Sequence, residues 1–227
     1  MKIRMGELRK LIREAVGGER LALYTRRRSS SIKVVLYSPA DLLALDWGKK
    51  FKLPTEVLRG FASFHKAEDP CNGAWEVEAI AGIGYGKILY GLGYALVPGG
   101  RLMPDRNFTS KRAKGAWMKS LGKVRGFPLD DVNDPQTKDP NDDCTVRVPV
   151  KKGGPDPVLD MAYEGPAVDP GPMQQVHRET VEELMRILND GGESMNLDEV
   201  AGVLNDMLLK AGLKYFQTEF EKYWKES

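Results

Sequence analysis

The feature that most restricts the fold of this chain is a strand, a glycine-rich turn and a helix that follow one another without a gap. In residues 74–81 (AWEVEAIA), apolar residues alternate with glutamates, the pattern of a half-buried strand. Gly82–Lys87 has a glycine at every second position, and residues 88–97 (ILYGLGYALV) then have the apolar spacing of a helix that Pro98–Gly100 ends. This succession predicts a fold that combines a sheet with helices.

A glycine turn in this position can bind an anion through its main chain. Glycines let the backbone approach a ligand without a Cβ clash, and the free N–H groups of the first helical turn favour a phosphate there. Gly84 and Gly86 supply the glycines, and Lys87 adds a positive charge. The spacing is not the G-x-G-x-x-G of a dinucleotide fold, and no G-x-x-x-x-G-K-[S/T] is present, so a Rossmann cofactor and a P-loop are both disfavoured.

Residues 74–105 resemble the core of the GNAT N-acyltransferase superfamily. In that family a strand leads into a [Q/R]-x-x-G-x-[G/A] loop whose amides hold the pyrophosphate of acyl-CoA, and a helix and another strand follow. Residues 81–86 (AGIGYG) match both glycines of this loop and have Ala81 in place of the Gln or Arg. The resemblance implies acetyl-CoA as the cofactor, with strand 77–81 pairing with pantetheine. The cofactor-binding residues that it implies are Val77, Ala79, Ala81, Gly82, Gly84, Tyr85, Gly86 and Lys87.

The same resemblance implies a carboxylate that acts as general base toward an amine, often through water. Glu76 and Glu78 lie on the predicted strand and face the same side, and we predict Glu78 as the base. The alternative for both is that they line the solvent face. Asp105 is the second candidate, because it follows the extended segment 101–104 at the end where open α/β sheets place ligand crevices. An ion pair with a neighbouring arginine is the alternative for Asp105.

Aromatic residues after the turn are predicted to pack in the core. Tyr90, Tyr94 and Trp117 have helical spacing toward an apolar face. GNAT enzymes often use a tyrosine on the helix after the second strand as general acid, and the corresponding predicted helix, residues 111–121, offers Trp117 instead. No general acid is therefore predicted.

A longer resemblance covers residues 71–144. The ordered strings W-x-V, GYGK-x-LY, LMPDR, PLDD and DPNDDC are similar to those of a group of uncharacterised proteins from tailed phages, some of them GNAT-like. This resemblance implies a viral or prophage origin rather than a reaction. It places the protein in the cytoplasm of a host cell or in a virion.

Metal and thiol chemistry is not expected from the sequence. The aspartates of residues 130–143 do not have the D-x-[D/N]-x-[D/N]-G spacing of a calcium loop, so a solvated acidic loop is predicted. Cys71 and Cys144 lie in no C-x-x-C, and neither is close in sequence to His65 or His177. No metal site is therefore predicted, and whether the two cysteines meet stays open.

The chain divides by composition into a sheet domain with appendages. Residues 1–60 hold 14 Lys and Arg against 6 Asp and Glu, and the opening segment has the spacing of a basic amphipathic helix. Prolines after Pro149 remove backbone donors and disfavour helix, which predicts a linker. The predicted organisation is a basic helix over 1–18, a GNAT-like domain over 32–150, a Pro/Gly-rich linker over 151–172 and a helical segment over 173–227.

The C-terminal segment is predicted to form helices at 174–189 and 197–209 and a further apolar-faced segment at 214–224, with Asn196 as an N-cap. Two helices could only partly cover these apolar stripes, so we expect the segment to fold back on the sheet domain or to dock on another chain. We expect residues 1–18 and 173–227 to contact other protein subunits. No apolar run is long enough to span a membrane, no signal peptide is recognisable, and nucleic acid is not indicated.

The predicted fold class is α+β, a GNAT-like mixed sheet flanked by helices. Two classes of function remain open. The first is an acyl-CoA-dependent N-acyltransferase, or a non-catalytic relative, whose acyl acceptor the sequence does not name. The second is a structural or assembly component of a phage particle that docks through its terminal helices.

Overall fold

The computed structural model has an α+β fold built on one mixed sheet, as the sequence predicts. It describes residues 19–47, 52–67, 73–104, 113, 115, 125–128 and 161–224. Seven strands lie within this part of the chain: β1 (Ala22–Arg27), β2 (Ser31–Tyr37), β3 (Leu58–Lys66), β4 (Trp75–Ala81), β5 (Arg101–Pro104), β6 (Arg125–Pro128) and β7 (Met161–Glu164). Their order is β1-β2-β3-β4-β5-β7-β6, and only β4 and β5 pair in parallel.

Within the described part of the chain, the bounds of four helices are defined: α1 (Pro39–Leu43), α2 (Gly86–Leu96), α3 (Gly171–Asp190) and α4 (Leu197–Trp224). Helix α2 covers one face, where Val34 and Leu36 of β2 join its core. Helices α3 and α4 cover the other face, toward which Val35 and Tyr37 of the same strand point. Because β2 is buried on both faces, its sequence is almost continuously apolar.

Glycines allow helix α2 to lie close to the sheet. A Cβ on Gly93 would come 2.7 Å from the ring of Phe64, and one on Gly91 would clash with Val168. The Val168 amide donates to the Gly91 carbonyl at 2.9 Å, so the chain after β7 is fixed to this helix. Tyr94 is buried in this core and Tyr90 packs against it, as predicted.

The sheet contains strands that the sequence analysis does not predict. Strand β1 precedes the predicted domain boundary at residue 32 and pairs with β2 along its full length. A 3₁₀ turn, Thr55–Val57, leads into β3, which the sequence analysis also does not predict. Strand β3 is buried on both faces over most of its length, so it lacks the alternation by which half-buried strands are predicted.

The predicted linker, residues 151–172, contains β7. Met161–Glu164 pairs with β5 on one side and with β6 on the other, so this part of the proline-rich stretch belongs to the sheet. Tyr163 is fully buried, and a Cβ on Gly165 would lie within 2.3 Å of the Tyr94 ring. The prolines lie outside these four residues, which leaves their backbone donors free for the ladder.

Helix α4 is continuous, whereas separate segments at 197–209 and 214–224 were predicted. Gly212 is not a break: it lies against the sheet, and a Cβ there would come 2.6 Å from Phe61. Asn196 is the N-cap, as predicted. Its Oδ1 accepts from the Glu199 amide at 3.0 Å, and the Glu199 carboxylate accepts from the Asn196 amide at 2.9 Å, a reciprocal capping box.

Several predicted features lie outside the described residues: the basic helix 1–18, Cys71, Asp105, all of helix 111–121 except the helical Ala113 and Gly115, the acidic loop and Cys144. Among the helices that are described, none is both long enough and apolar enough to cross a membrane.

Candidate functional site

Toward its carboxyl end, strand β4 has a backbone edge that is open within the described part of the chain. It pairs with β3 up to Ala81, but with β5 only over its first three residues, Trp75–Val77. Residues 78–81 therefore pair with no described strand on the β5 side. In open sheets, ligand crevices lie at the carboxyl ends of the parallel strands, which is where these unpaired residues of β4 are found. Since an extended ligand can add to such an edge as a further strand, this edge is the first part of the candidate site.

The turn after β4 presents glycines to open space. Gly84 has a φ of +83°, which L side chains rarely adopt. A Cβ at Gly84 or at Gly86 would meet no atom of the described residues within 4 Å. Gly82 is different, since its Cβ would lie 2.8 Å from the Leu89 side chain and 3.1 Å from the Arg59 carbonyl. Of the three predicted glycines, Gly82 is thus required for packing, and the other two border the space that a ligand could enter.

The N-cap residue of α2 gives the helix no side-chain cap. Tyr85 occupies the N-cap position and its side chain does not bond the first helical turn, which also contains no acidic residue. The orphan N–H groups of such a turn favour an anion, and the helix dipole acts in the same direction. Lys87 is exposed beside them. The residues present therefore fit a phosphate held mainly by backbone amides.

A hydrogen-bonded network attaches the glycine turn to other parts of the fold through the Tyr85 side chain. The Tyr85 hydroxyl donates to Glu19 Oε2 at 3.0 Å, and Arg59 Nε donates to both Glu19 oxygens at 3.0 and 3.1 Å. Arg59 also forms an ion pair with Asp41 and donates to the Glu56 carbonyl at 2.7 Å. Arg59 is thereby neutralised by two carboxylates, so it supplies no free charge to the site.

This network changes the proton affinities of its members. Burial alone would raise the pKa of Glu19, but hydrogen bonds from Arg59, Ser38 and Tyr85 outweigh it and lower that pKa below its ordinary value. Burial and the bond to Glu19 raise the pKa of Tyr85. Sequence reasoning missed the network because Glu19 and Tyr85 are 66 residues apart and nothing local links them.

Glu78 lies at a β-bulge. The register passes from Ser63↔Ala79 to Phe64↔Val77, so Glu78 is the extra residue of β4. As a result Val77 packs toward α2 and Ala79 toward the opposite face, whereas the alternation in the sequence predicted one buried face. The Glu78 carboxylate is exposed and accepts from the buried Ser63 hydroxyl at 2.6 Å. A carboxylate oriented in this way can accept a proton from a group at the surface.

The structure places only some of the predicted residues where a ligand could contact their side chains. Ala81, Gly84, Tyr85, Gly86 and Lys87 surround the turn, and Glu78 lies on the strand about 10 Å before it. Val77 and Ala79 are buried core residues whose backbone alone is available to a ligand. Gly82 packs against α2, and Asp105 lies outside the described residues.

Within the described part of the chain, no three His, Cys, Asp or Glu side chains are placed to hold a metal ion. A scan against protein-family models, a search of curated proteins and a search of solved structures each returned no match.

Proposed function

We propose that the crevice beside β4 binds an acyl-CoA and that the protein is an acyl-CoA-dependent N-acyltransferase. One observation carries the proposal: the edge of β4 that no described strand covers runs directly into a glycine turn and into a helix whose N-cap residue makes no side-chain cap. An extended pantetheine arm would pair with the backbone of residues 78–81, and the pyrophosphate would lie against the amides of Gly84–Lys87. The GNAT resemblance of the sequence supports the same assignment.

In this proposal the chain's own residues bind the acyl-CoA and remove a proton from the acceptor amine. The bound acyl-CoA supplies an activated acyl thioester. The Glu78 carboxylate would accept the proton of the incoming amine, directly or through water, and Ser63 would hold that carboxylate in place. Asp105 remains the second candidate for this role. Ala81 provides no side-chain donor, so the cradle would depend on main-chain amides and on Lys87.

The second proposal is that the protein is a structural component of a phage particle, in the virion or during assembly in a host cell. A specific observation supports it: the outer surfaces of α3 and α4 expose apolar side chains to solvent. Val203 is 51% exposed, and Ile187, Leu213 and Phe220 are 36–39% exposed. Subunits that dock on such residues would bury them. A non-catalytic relative that keeps the acyl-CoA site would combine features of the two proposals.

Isothermal titration of CoA into wild type and Gly86→Val tests the first proposal. Valine at this position would fill the open space beside the amides, so we expect binding by the wild type and its loss in the variant. Gly202→Val is the matched control, because Gly202 is also helical and its Cβ would also meet no atom within 4 Å. Absence of binding by the wild type at millimolar CoA would contradict the proposal and favour the particle component.

A further inference from the structure

Two cations face each other across the first hairpin of the sheet. Arg26 on β1 pairs in register with Lys33 on β2, so their side chains leave the same face with Cβ atoms about 5 Å apart. Arg28 follows Arg26 by two residues, and its amide donates to the Ser31 carbonyl at 2.8 Å to close the turn. Like charges directly opposite each other destabilise a sheet, so this arrangement costs stability in the absence of an anion.

Helix α4 completes a groove over this pair. The groove has a volume of about 190 Å³, and Asp206 and Lys210 form part of its wall. Its full lining is Arg26, Arg28, Ser31, Lys33, Asp206, Leu209, Lys210 and Leu213. The four cations come from two strands and a distant helix, so the sequence does not show that they converge.

The cations of the groove outnumber its carboxylates by four to one. Asp206 lies 3.9 Å from Arg26 and 3.7 Å from Lys210, and therefore shares one negative charge between them. Within the described part of the chain, Arg28 and Lys33 have no ion-pair partner. The groove thus keeps a net positive charge, in contrast to the cluster around Arg59, where two carboxylates meet one cation.

We propose that this groove binds the phosphate or diphosphate group of a phosphorylated ligand. Arginines with a fork of donors and lysines with a compact charge are the side chains that bind phosphate most strongly. The volume is below the roughly 300 Å³ of typical small-molecule pockets, so it admits a phosphate or diphosphate and not an entire nucleotide cofactor. Leu209 and Leu213 offer an apolar wall for the group that carries the phosphate.

The groove is separate from the glycine turn. The hairpin between β1 and β2 lies at the end of the sheet where β4 begins. The glycine turn lies at the other end, because it follows the last residue of β4. A strand of seven residues is about 20 Å long, so the two sites lie at opposite ends. The inference therefore does not depend on the proposed acyltransferase function.

Titration of inorganic pyrophosphate at low salt tests the proposal. We expect the wild type to bind it, and Lys33→Gln and Arg28→Gln each to weaken binding by on the order of tenfold. Arg27→Gln is the matched control: Arg27 has the same charge on the same strand but pairs with Ile32 and points to the other face. Asp206→Asn removes the only carboxylate among the described residues that line the groove and should strengthen binding.

The source of the phosphate is distinguished by a second titration, with a single-stranded DNA of ten thymidines. Tighter binding of this DNA than of pyrophosphate, with a steep loss at higher salt, assigns the groove to polynucleotide phosphates. Binding of pyrophosphate alone assigns it to small phosphorylated ligands. Both results support a phosphate site. Absence of binding to both probes, or an equal loss in Arg27→Gln and Lys33→Gln, would overturn it.

Thermal unfolding provides a second measurement, in which a loss of phosphate binding can be told apart from a folding defect. In buffer without phosphate, Lys33→Gln should unfold at the same or a higher temperature than the wild type, because it relieves the repulsion from Arg26. Added pyrophosphate should raise the unfolding temperature of the wild type by more than that of Lys33→Gln. An equal rise in both proteins would contradict the proposal.

Discussion

The two ends of the central strands differ in how far their cationic side chains are neutralised by carboxylates. At the glycine-turn end, Arg59 is saturated by Glu19 and Asp41, and the groups left over are backbone amides. At the hairpin end, the backbone is fully paired up to the turn, and the groups left over are the side chains of Arg26, Lys33 and their neighbours. One sheet can therefore offer two kinds of anion site, one built from the main chain and one from cations.

The comparison also concerns stability. Charges that are satisfied within the fold stabilise it, whereas charges held ready for a ligand destabilise it until that ligand binds. The same substitution at the two ends should therefore have different consequences.

The largest expected effect is that of Arg59→Met. Arg59 is only 21% exposed and serves two carboxylates and two carbonyls, so its loss leaves Glu19 without its main partner. We expect the free energy of unfolding to fall by about 3 kcal/mol. Urea denaturation measures this change. The matched variant at the other end, Arg28→Met, should change stability by less than about 0.5 kcal/mol; similar losses in both would remove the distinction between the ends.

Gly82→Ala and Gly86→Ala distinguish the glycine that is needed for packing from the glycine that borders the proposed ligand space. The new methyl at Gly82 would press on Leu89 and on the Arg59 carbonyl, and we expect a cost of about 2 kcal/mol. The methyl at Gly86 meets no atom of the residues that the structure describes and should stabilise α2 by about 0.5 kcal/mol while weakening CoA binding. Thermal melts and CoA titrations of both variants check this reversal, and equal stability would contradict it.

Tyr85→Phe isolates one link of the network. It removes the hydrogen bond to Glu19 but leaves the two bonds from Arg59, so we expect a loss of about 1 kcal/mol in the free energy of unfolding. CoA affinity should fall as well, since the turn loses its attachment to the sheet. A variant with unchanged stability and unchanged affinity would show that the network does not position the turn.

Part of this architecture could be predicted from the sequence. The strand, turn and helix of residues 74–97 and the cap at Asn196 are encoded by local patterns, and both are present in the fold. The open space at Gly84 and Gly86 follows from the same local signal. These features were predictable because the physical cause of each lies within a few residues of its effect.

The rest depends on contacts between distant parts of the chain. β7 is a strand only because β5 and β6 flank it, and its four residues carry no independent signal. The bulge at Glu78 is set by the register with β3, which no single-strand pattern reveals. The pairing of Glu19 with Tyr85 has the same origin.

The smallest expected effect is a pH dependence that belongs to neither end. His177 of α3 packs against Tyr24 of β1 and Tyr37 of β2, its Nδ1 lies 2.9 Å from the Tyr37 hydroxyl, and burial lowers its pKa below the usual 6.5. The unfolded chain therefore binds the proton more tightly than the folded chain. Stability should be complete above about pH 6.5 and fall as the pH drops below that value.

Urea denaturation between pH 7.5 and 5 measures this dependence. His177→Gln should reduce the slope, because it removes the group whose pKa differs between the two states. Arg28→Met, as a control at the hairpin end, should retain the slope of the wild type. A stability that rises on acidification through pH 6 would contradict the assignment.

Hydrogen–deuterium exchange with and without saturating CoA tests the central claim most directly, because the claim concerns backbone amides. If the open edge of β4 and the glycine turn hold the ligand, peptides covering residues 78–87 should become protected, and those covering the hairpin, residues 26–33, should not change. Unchanged exchange at residues 78–87, or protection confined to the hairpin, would show that the open edge and the turn do not bind CoA.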